Sequence, residues 1–221
     1  MKQDYQWITF DCYGTLIDWE NGISAAFERV AKMTGSTFDR NRVLSLYRKY
    51  EAEEEMIYKR YREILNRIAR RICSDLAWRV PDNTFLSQSL QRWRPFADTN
   101  PSLERLSRNY KLGILSNVDN DLLTETRRHF TVNFDLVITA EQVSSYKPGL
   151  RHFQEARKKI GDAKWIHAAQ SYVHDLVPCS RLNIPGAWIN RNQEEGKDPN
   201  VKPLFNNINL MSFANWMEGI D

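Results

Sequence analysis

The chain has little of what marks special architectures. Its 221 residues include only 9 glycines and 8 prolines, and no internal repeat is found, which excludes collagen-like and low-complexity chains. Three cysteines, Cys12, Cys73 and Cys179, are an odd number without metal-ligand spacing. They predict free thiols in a reducing compartment, with neither a disulfide frame nor a thiolate metal site. No apolar run approaches the ~18 residues that span a bilayer, and the first five residues enter a strand-like segment too soon for a signal peptide. The expectation is a cytoplasmic protein with no membrane partner. Charge of one sign is missing too: 31 Lys and Arg against 28 Asp and Glu give +3, dispersed along the chain, so no nucleic-acid partner is expected. What is present, 42% hydrophobic and 27% charged residues, suits one soluble globular unit with room for a small inserted subdomain.

Five short β-branched or aromatic runs read as strands: Gln6–Phe10, Leu112–Leu115, Leu136–Ile138, Trp165–Ala169 and Ala187–Ile189. Each ends in polar residues and alternates with helical stretches, which predicts an α/β fold with a doubly wound parallel sheet. In such sheets ligands bind beyond the carboxyl ends of the strands, where the polar tips converge. About ninety residues separate the first two strands and carry no strand signal; Ile57, Tyr61, Ile64, Leu65, Ile68 and Ile72 recur there at helical spacing. The predicted organisation is a core domain over 1–17 and 95–221 with a helical cap subdomain inserted over 18–94. Glu51 to Glu55, followed by Lys59, Arg60 and Arg62, reads as a solvated helix face with i,i+4 pairs such as Glu55 to Lys59.

Four polar clusters fall at four strand tips: Asp11 to Thr15, Ser116-Asn117, Tyr146-Lys147-Pro148 and Gln170 to Asp175. A carboxylate on a tight loop after a buried strand, kept ionised by loop N–H groups and a nearby lysine, can act as a nucleophile. Asp11 is the candidate. These clusters, in this order and over nearly the whole chain, resemble the haloacid dehalogenase superfamily through Asp11-x-Tyr13-Gly14-Thr15-Leu16, Ser116-Asn117, Lys147-Pro148 and Asp175. Within it the resemblance is to the type II 2-haloacid dehalogenases, which combine an aspartate nucleophile, a helical cap and no metal. The phosphatase members carry a second Asp where this chain has Tyr13, and a further Asp where it has Gln170. A Mg²⁺ site draws on carboxylates, so no metal and no cofactor are expected, with weakly bound Mg²⁺ as the alternative.

The resemblance implies that Asp11 displaces halide from a small 2-halo carboxylic acid, forming an ester that water then cleaves. In this scheme Lys147 keeps Asp11 ionised and stabilises developing charge, while Ser116 and Thr15 hydrogen-bond the nucleophile or the substrate carboxylate. Asn117 joins the leaving-group pocket. Arg48 matches the cap arginine by local pattern, with Arg60 as its alternative, and Tyr13, Trp19 and Tyr61 furnish an apolar wall. Three positions depart from the dehalogenase pattern: Gln170, Tyr172 and Phe153. Ser171, His174 and Asp175 are offered in compensation, with Asp175 as the base that activates water and His174 as the neighbour that tunes it. His129, His152 and His167 are read as structural. Two other functions compete: a phosphatase acting on a small phosphate ester with Mg²⁺, and a binding module whose hydrolytic groups have eroded. Enzymes of this type are often homodimers, and no sequence signal decides that point here.

Overall fold

The computed structural model describes residues 3–220. The first half of the chain runs β1 (Trp7–Phe10), α1 (Trp19–Thr34), α2 (Arg40–Glu54), α3 (Tyr61–Asp75), α4 (Phe85–Ser89), α5 (Thr99–Leu106) and β2 (Lys111–Ser116). It continues through α6 (Asn120–Arg127), β3 (Leu136–Thr139), α7 (Ala140–Val143), α8 (Arg151–Ile160) and β4 (Trp165–Ala169). A π-helical turn at Tyr172–Leu176 leads into α9 (Val177–Arg181), β5 (Gly186–Ile189), β6 (Phe205–Asn207) and α10 (Leu210–Glu218).

Among the described residues the strands form one parallel sheet in the order β3-β2-β1-β4-β5-β6. The fold is thus the α/β class that the alternation of strands and helices predicts. One strand is new. Phe205-Asn206-Asn207, of which only Phe205 is buried, pairs with β5, Phe205 opposite Ala187. Successive strand residues face opposite sides of the sheet, so Ile114 joins a core with Phe10, Phe213 and Met217, while Leu115 joins one with Phe153, Ala156 and Ile160. Those residues place α10 on the first face and α8 on the second.

Chain connections leave β1 towards β2 and leave β4 towards β5, in opposite directions, although β1 and β4 are neighbours. The crevice at their carboxyl ends is a topological switch point. Asp11 follows β1 and Gln170 to Asp175 follow β4, so the fold itself brings these two clusters together.

The long segment between β1 and β2 is helical. Ile64, Leu65, Ile68, Ala69 and Ile72 are wholly buried along one face of α3, the spacing an amphipathic helix requires. Ile57 is not part of that face: it lies before α3 begins and is exposed. Asp18 caps α1 and Asp39 caps α2, each accepting a backbone N–H at 3.1 Å. For α3 the cap comes from elsewhere in the chain: Asp119, beyond β2, accepts from Tyr61 N and Arg62 N at 2.9 Å each. This carboxylate ties the helical segment to the sheet. Burial is the main force raising its pKa, against the two backbone N–H groups that lower it.

Gly22 lies against the indole of Trp93, and a Cβ there would sit 2.3 Å from the ring. Overpacking of this kind costs about 1–3 kcal/mol. Gly22→Ala is therefore expected to lower the urea midpoint without changing the slope of unfolding. An unchanged midpoint would show that α1 and Trp93 separate freely.

Candidate active site

The loop after β1 is shaped by Gly14, whose φ of +96° only glycine adopts without strain. Its N–H bonds Ile17 O at 2.8 Å, closing the turn behind Asp11. Asp11 Oδ2 accepts from Thr15 Oγ1 at 2.8 Å, and Oδ1 accepts from Lys147 Nζ at 2.8 Å. The Thr15 hydroxyl accepts in turn from Gln170 N at 2.9 Å, so one buried threonine links the loops after β1 and β4.

Lys147 is 1% exposed. Its ammonium donates to Asp11 Oδ1 at 2.8 Å, Asp175 Oδ1 at 2.7 Å and Leu115 O at 2.9 Å, which uses all three of its hydrogens. Burial alone would lower its pKa, but the charges of Asp11 and then Asp175 override that and raise it. Asn117 helps to place the lysine: its Oδ1 accepts from Lys147 N at 2.7 Å and its Nδ2 donates to Lys147 O at 3.0 Å.

Asp175 takes two donors on one oxygen. Besides Lys147, His167 Nε2 lies 2.9 Å from Oδ1, whereas the buried Oδ2 has no partner among the described residues. Burial pushes this carboxyl up; the Lys147 charge and the His167 hydrogen bond outweigh it and hold the carboxyl below its usual range. His167 is fixed from behind, its Nδ1 2.8 Å from Thr9 Oγ1. With Nε2–H donating to Asp175, Nδ1 is the acceptor and Thr9 the donor. His174, the expected tuning neighbour, bonds elsewhere: its Nδ1 is 3.0 Å from Ser171 Oγ. The histidine that reaches Asp175 is therefore His167, which the sequence hides inside a strand.

Asp11, Asn117, Lys147 and Asp175 line a cavity of about 380 Å³. Its floor holds Asp11, Ser116, Asn117, Lys147 and Asp175, with Ser171 and His174 at the side. The Ser116 hydroxyl is fully buried and has no partner among the described residues. From the helical segment come Trp19, Tyr47, Arg48, Glu51, Glu55 and Tyr61. Tyr13 also lines the cavity, its hydroxyl 2.7 Å from Thr126 Oγ1 and its ring edge-on to Trp93.

Several expectations need correction. Glu51 and Glu55 are not a solvated face, since both turn into the cavity. The pair Glu55 to Lys59 is not made either; Lys59 bonds Glu54 at 2.9 Å. Arg60 pairs with Glu141 at 3.0 Å, outside the cavity lining. Arg48 does line it, though paired with Glu20 and set over the Trp19 ring at 5.4 Å. Of the three departures, Gln170 lines the cavity and bonds Glu194 at 3.1 Å. Tyr172 lines it as well, while its hydroxyl donates to Asp198 O at 2.8 Å. Phe153 is wholly buried in the core, edge-on to His167, so no hydrogen-bonding group is missing from the cavity on its account.

His152 is buried without a charge. Its Nε2 donates to Ser116 O at 3.1 Å and Nδ1 has no partner among the described residues; burial first, and then the Lys147 charge, pushes its pKa from 6.5 down to about 3. The unfolded chain therefore binds a proton that the folded one refuses, and stability present above pH 6.5 is lost as the pH falls towards 3. The loss expected is about 3–5 kcal/mol. His152→Gln should flatten the acid limb of a denaturation-versus-pH curve. An unchanged limb would mean that this ring accepts a proton in the folded state.

Among the described residues no three of His, Cys, Asp and Glu converge to hold a metal ion, and the ammonium of Lys147 already bridges the two floor carboxylates.

The family model described as haloacid dehalogenase-like hydrolase matches residues 8–175, and the chain belongs to that family. The (S)-2-haloacid dehalogenase of Pseudomonas putida is 28% identical, over 97% of each chain. Among solved structures, the L-2-haloacid dehalogenase of Xanthobacter autotrophicus with chloropropionic acid covalently bound superposes with a TM-score of 0.83. It is 17% identical, the match covering 98% of this chain and 100% of that one. A HAD-hydrolase of Bacillus subtilis bound to magnesium gives a TM-score of 0.78 at 15% identity, covering 97% and 99%. At these identities the structures share the fold alone.

Proposed function

We propose that the protein is a metal-independent hydrolase of the 2-haloacid dehalogenase type. Asp11 attacks the halogen-bearing carbon of a small 2-halo carboxylic acid; the carbon–halogen bond breaks with its electron pair leaving on the halide, and an ester of Asp11 with an inverted carbon results. Water then adds to the ester carbonyl, giving up its proton to Asp175. The Asp11 carbonyl carbon parts from the product oxygen, which takes a proton, so that a 2-hydroxy acid, halide and H⁺ leave.

The observation that carries this reading is the ammonium of Lys147 shared between Asp11 and Asp175, 2.8 and 2.7 Å away. A carboxylate paired with an amine keeps lone pairs for carbon, whereas a phosphoryl-transfer site needs cationic charge around the transferred group. Asp175 supplies a second, separate function: its buried Oδ2 carries no hydrogen bond from a described residue, which leaves that oxygen to take the proton once water reaches it. The Pseudomonas putida relative supports the same substrate class.

The test is an assay of both enantiomers of 2-chloro- and 2-bromopropionate with EDTA present, following halide. Release at an undiminished rate is expected. Halide release abolished by EDTA, or Mg²⁺-dependent phosphate release across a panel of small phosphate esters with no halide release, would replace this reading by the phosphatase one. No turnover and no adduct on Asp11 with any halo acid would favour a binding module.

A further inference from the structure

The proposed reaction assigns no task to His167, although this histidine is wholly buried and bonded at both ring nitrogens. It stands opposite Thr9 in the pairing of β1 with β4. The Thr9 methyl faces Gly113, where an added Cβ would stand 3.1 Å from it, and the Thr9 hydroxyl is 2.8 Å from His167 Nδ1. Phe153 packs edge-on against the imidazole, ring centroids 5.1 Å apart. Held in this way, the ring presents Nε2 to Asp175 Oδ1 at 2.9 Å. Asp175 belongs to the π-helical turn after β4, which carries it back to this strand residue.

An aspartate carboxylate turns readily about its last bond, whose torsion is broad and roughly two-fold. A single donor on Oδ1 leaves that turn open. Two donors, Lys147 at 2.7 Å and His167 at 2.9 Å, fix Oδ1 and with it the place of Oδ2, to which no described residue donates. The two donors differ in kind. Lys147 Nζ is shared with Asp11, 2.8 Å away, and the negative charge there vanishes once Asp11 becomes an ester. Among the described residues the His167 ring bonds only Thr9 and Asp175, so its hold on Asp175 is indifferent to that change. With Thr9 donating to Nδ1, Nε2 carries the hydrogen, and the imidazole orients the carboxylate without taking a proton from it.

We propose that His167 is a positioning residue for the second half of the reaction: it keeps Asp175 Oδ2 turned to the water that cleaves the Asp11 ester, and has no part in forming that ester. In this half the water oxygen bonds the ester carbonyl carbon while its proton passes to Oδ2. The bond from that carbon to the product oxygen then breaks, and the product oxygen takes up a proton. The inference deepens the dehalogenase reading and rests on it, with Asp175 as the base. A general base contributes about 10²–10⁴-fold, and loss of its orientation by about half an ångström forfeits part of that.

Rapid-quench single turnovers with 2-chloropropionate separate the two halves: halide follows ester formation, and the intact mass of the protein follows the ester itself. In His167→Asn, whose shorter amide serves Thr9 but not Asp175, halide should appear within about threefold of the wild-type rate while ester decay slows at least about tenfold. His167→Gln returns an amide N–H to the place of Nε2 and should bring decay back to within about threefold of wild type. Thr9→Val removes the anchor behind the ring and leaves Asp175 untouched; it too should slow ester decay and spare halide release, which keeps the test open where the asparagine variant fails to fold. Ester decay unchanged in both His167→Asn and Thr9→Val, both halves slowed alike, or a defect no smaller in His167→Gln overturns the inference. Asp175→Asn tests the reading beneath it. No ester on Asp11 in the wild type, or decay as fast in Asp175→Asn as in wild type, overturns that reading and this inference together. Slow decay in Asp175→Asn beside unchanged decay in His167→Asn overturns the inference alone.

Discussion

Asp11→Asn is expected to lower halide release by at least about 10⁴-fold, the scale on which removal of an activated nucleophile acts. The substitution keeps the shape of the side chain and its acceptor oxygen for Thr15 or Lys147, so the loop around Gly14 stays as it is. An amide has no charge with which to displace halide. The fold should tolerate the change, because Lys147 retains Asp175 and Leu115 O as partners. A stability loss no greater than about 2 kcal/mol is expected, read as the urea midpoint alongside the halide assay. Residual activity within tenfold of wild type would move the nucleophile to another residue.

Lys147→Met should be damaging in two ways. Removing one member of a buried, hydrogen-bonded ion group costs about 3–5 kcal/mol, because the remaining charges lose compensation. Here two carboxylates would be left facing one another, with Leu115 O also without its donor. Turnover should fall by at least about 10³-fold, as developing charge on the floor of the cavity goes unanswered. The pH dependence gives this prediction its sign. In the wild type the Asp175 pKa is lowered, so its contribution is present at neutral pH and is lost on acidification below the normal carboxylate range. In Lys147→Met the same carboxyl, buried without its cation, has a raised pKa and is relieved by protonation. The stability gap between variant and wild type should therefore be widest near pH 7 and narrow towards pH 4. A gap that widened on acidification would show that the lysine does not compensate Asp175.

How much of this was legible in the sequence follows from the range of the interactions involved. The strands could be read because β1, β2, β3, β4 and β5 are locally β-branched or aromatic and buried, whereas β6 exists only through its pairing with β5. Asp11, Lys147 and Asp175 could be singled out because each follows or lies near the polar end of a strand, and the sheet order then gathers such ends. What could not be read was direction. The Glu51–Glu55 segment has the composition of a solvated helix end, and only the packing of α2 against α1 and α3 turns Glu51 and Glu55 inward while leaving Glu53 to pair with Arg71. His167 lies within an apolar strand, and its role depends on Thr9 across one strand pairing and Asp175 across a turn. Asp119 looks like an ordinary loop acid, yet it caps a helix 57 and 58 residues earlier in the chain. Arg191 likewise gives no local signal. It pairs with Asp98 at 3.0 Å and donates to Thr15 O at 2.9 Å, bracing the nucleophile loop from behind.

The most direct measurement is a single turnover in H₂¹⁸O with enzyme in excess over 2-chloropropionate, followed by mass analysis of the product and of the peptide that contains Asp11. An ester on Asp11 cleaved at its carbonyl predicts a hydroxy acid free of ¹⁸O and one ¹⁸O in the Asp11 carboxylate. A first-turnover product that carries ¹⁸O, with Asp11 unlabelled, would mean that water attacks the halocarbon itself and would contradict the account.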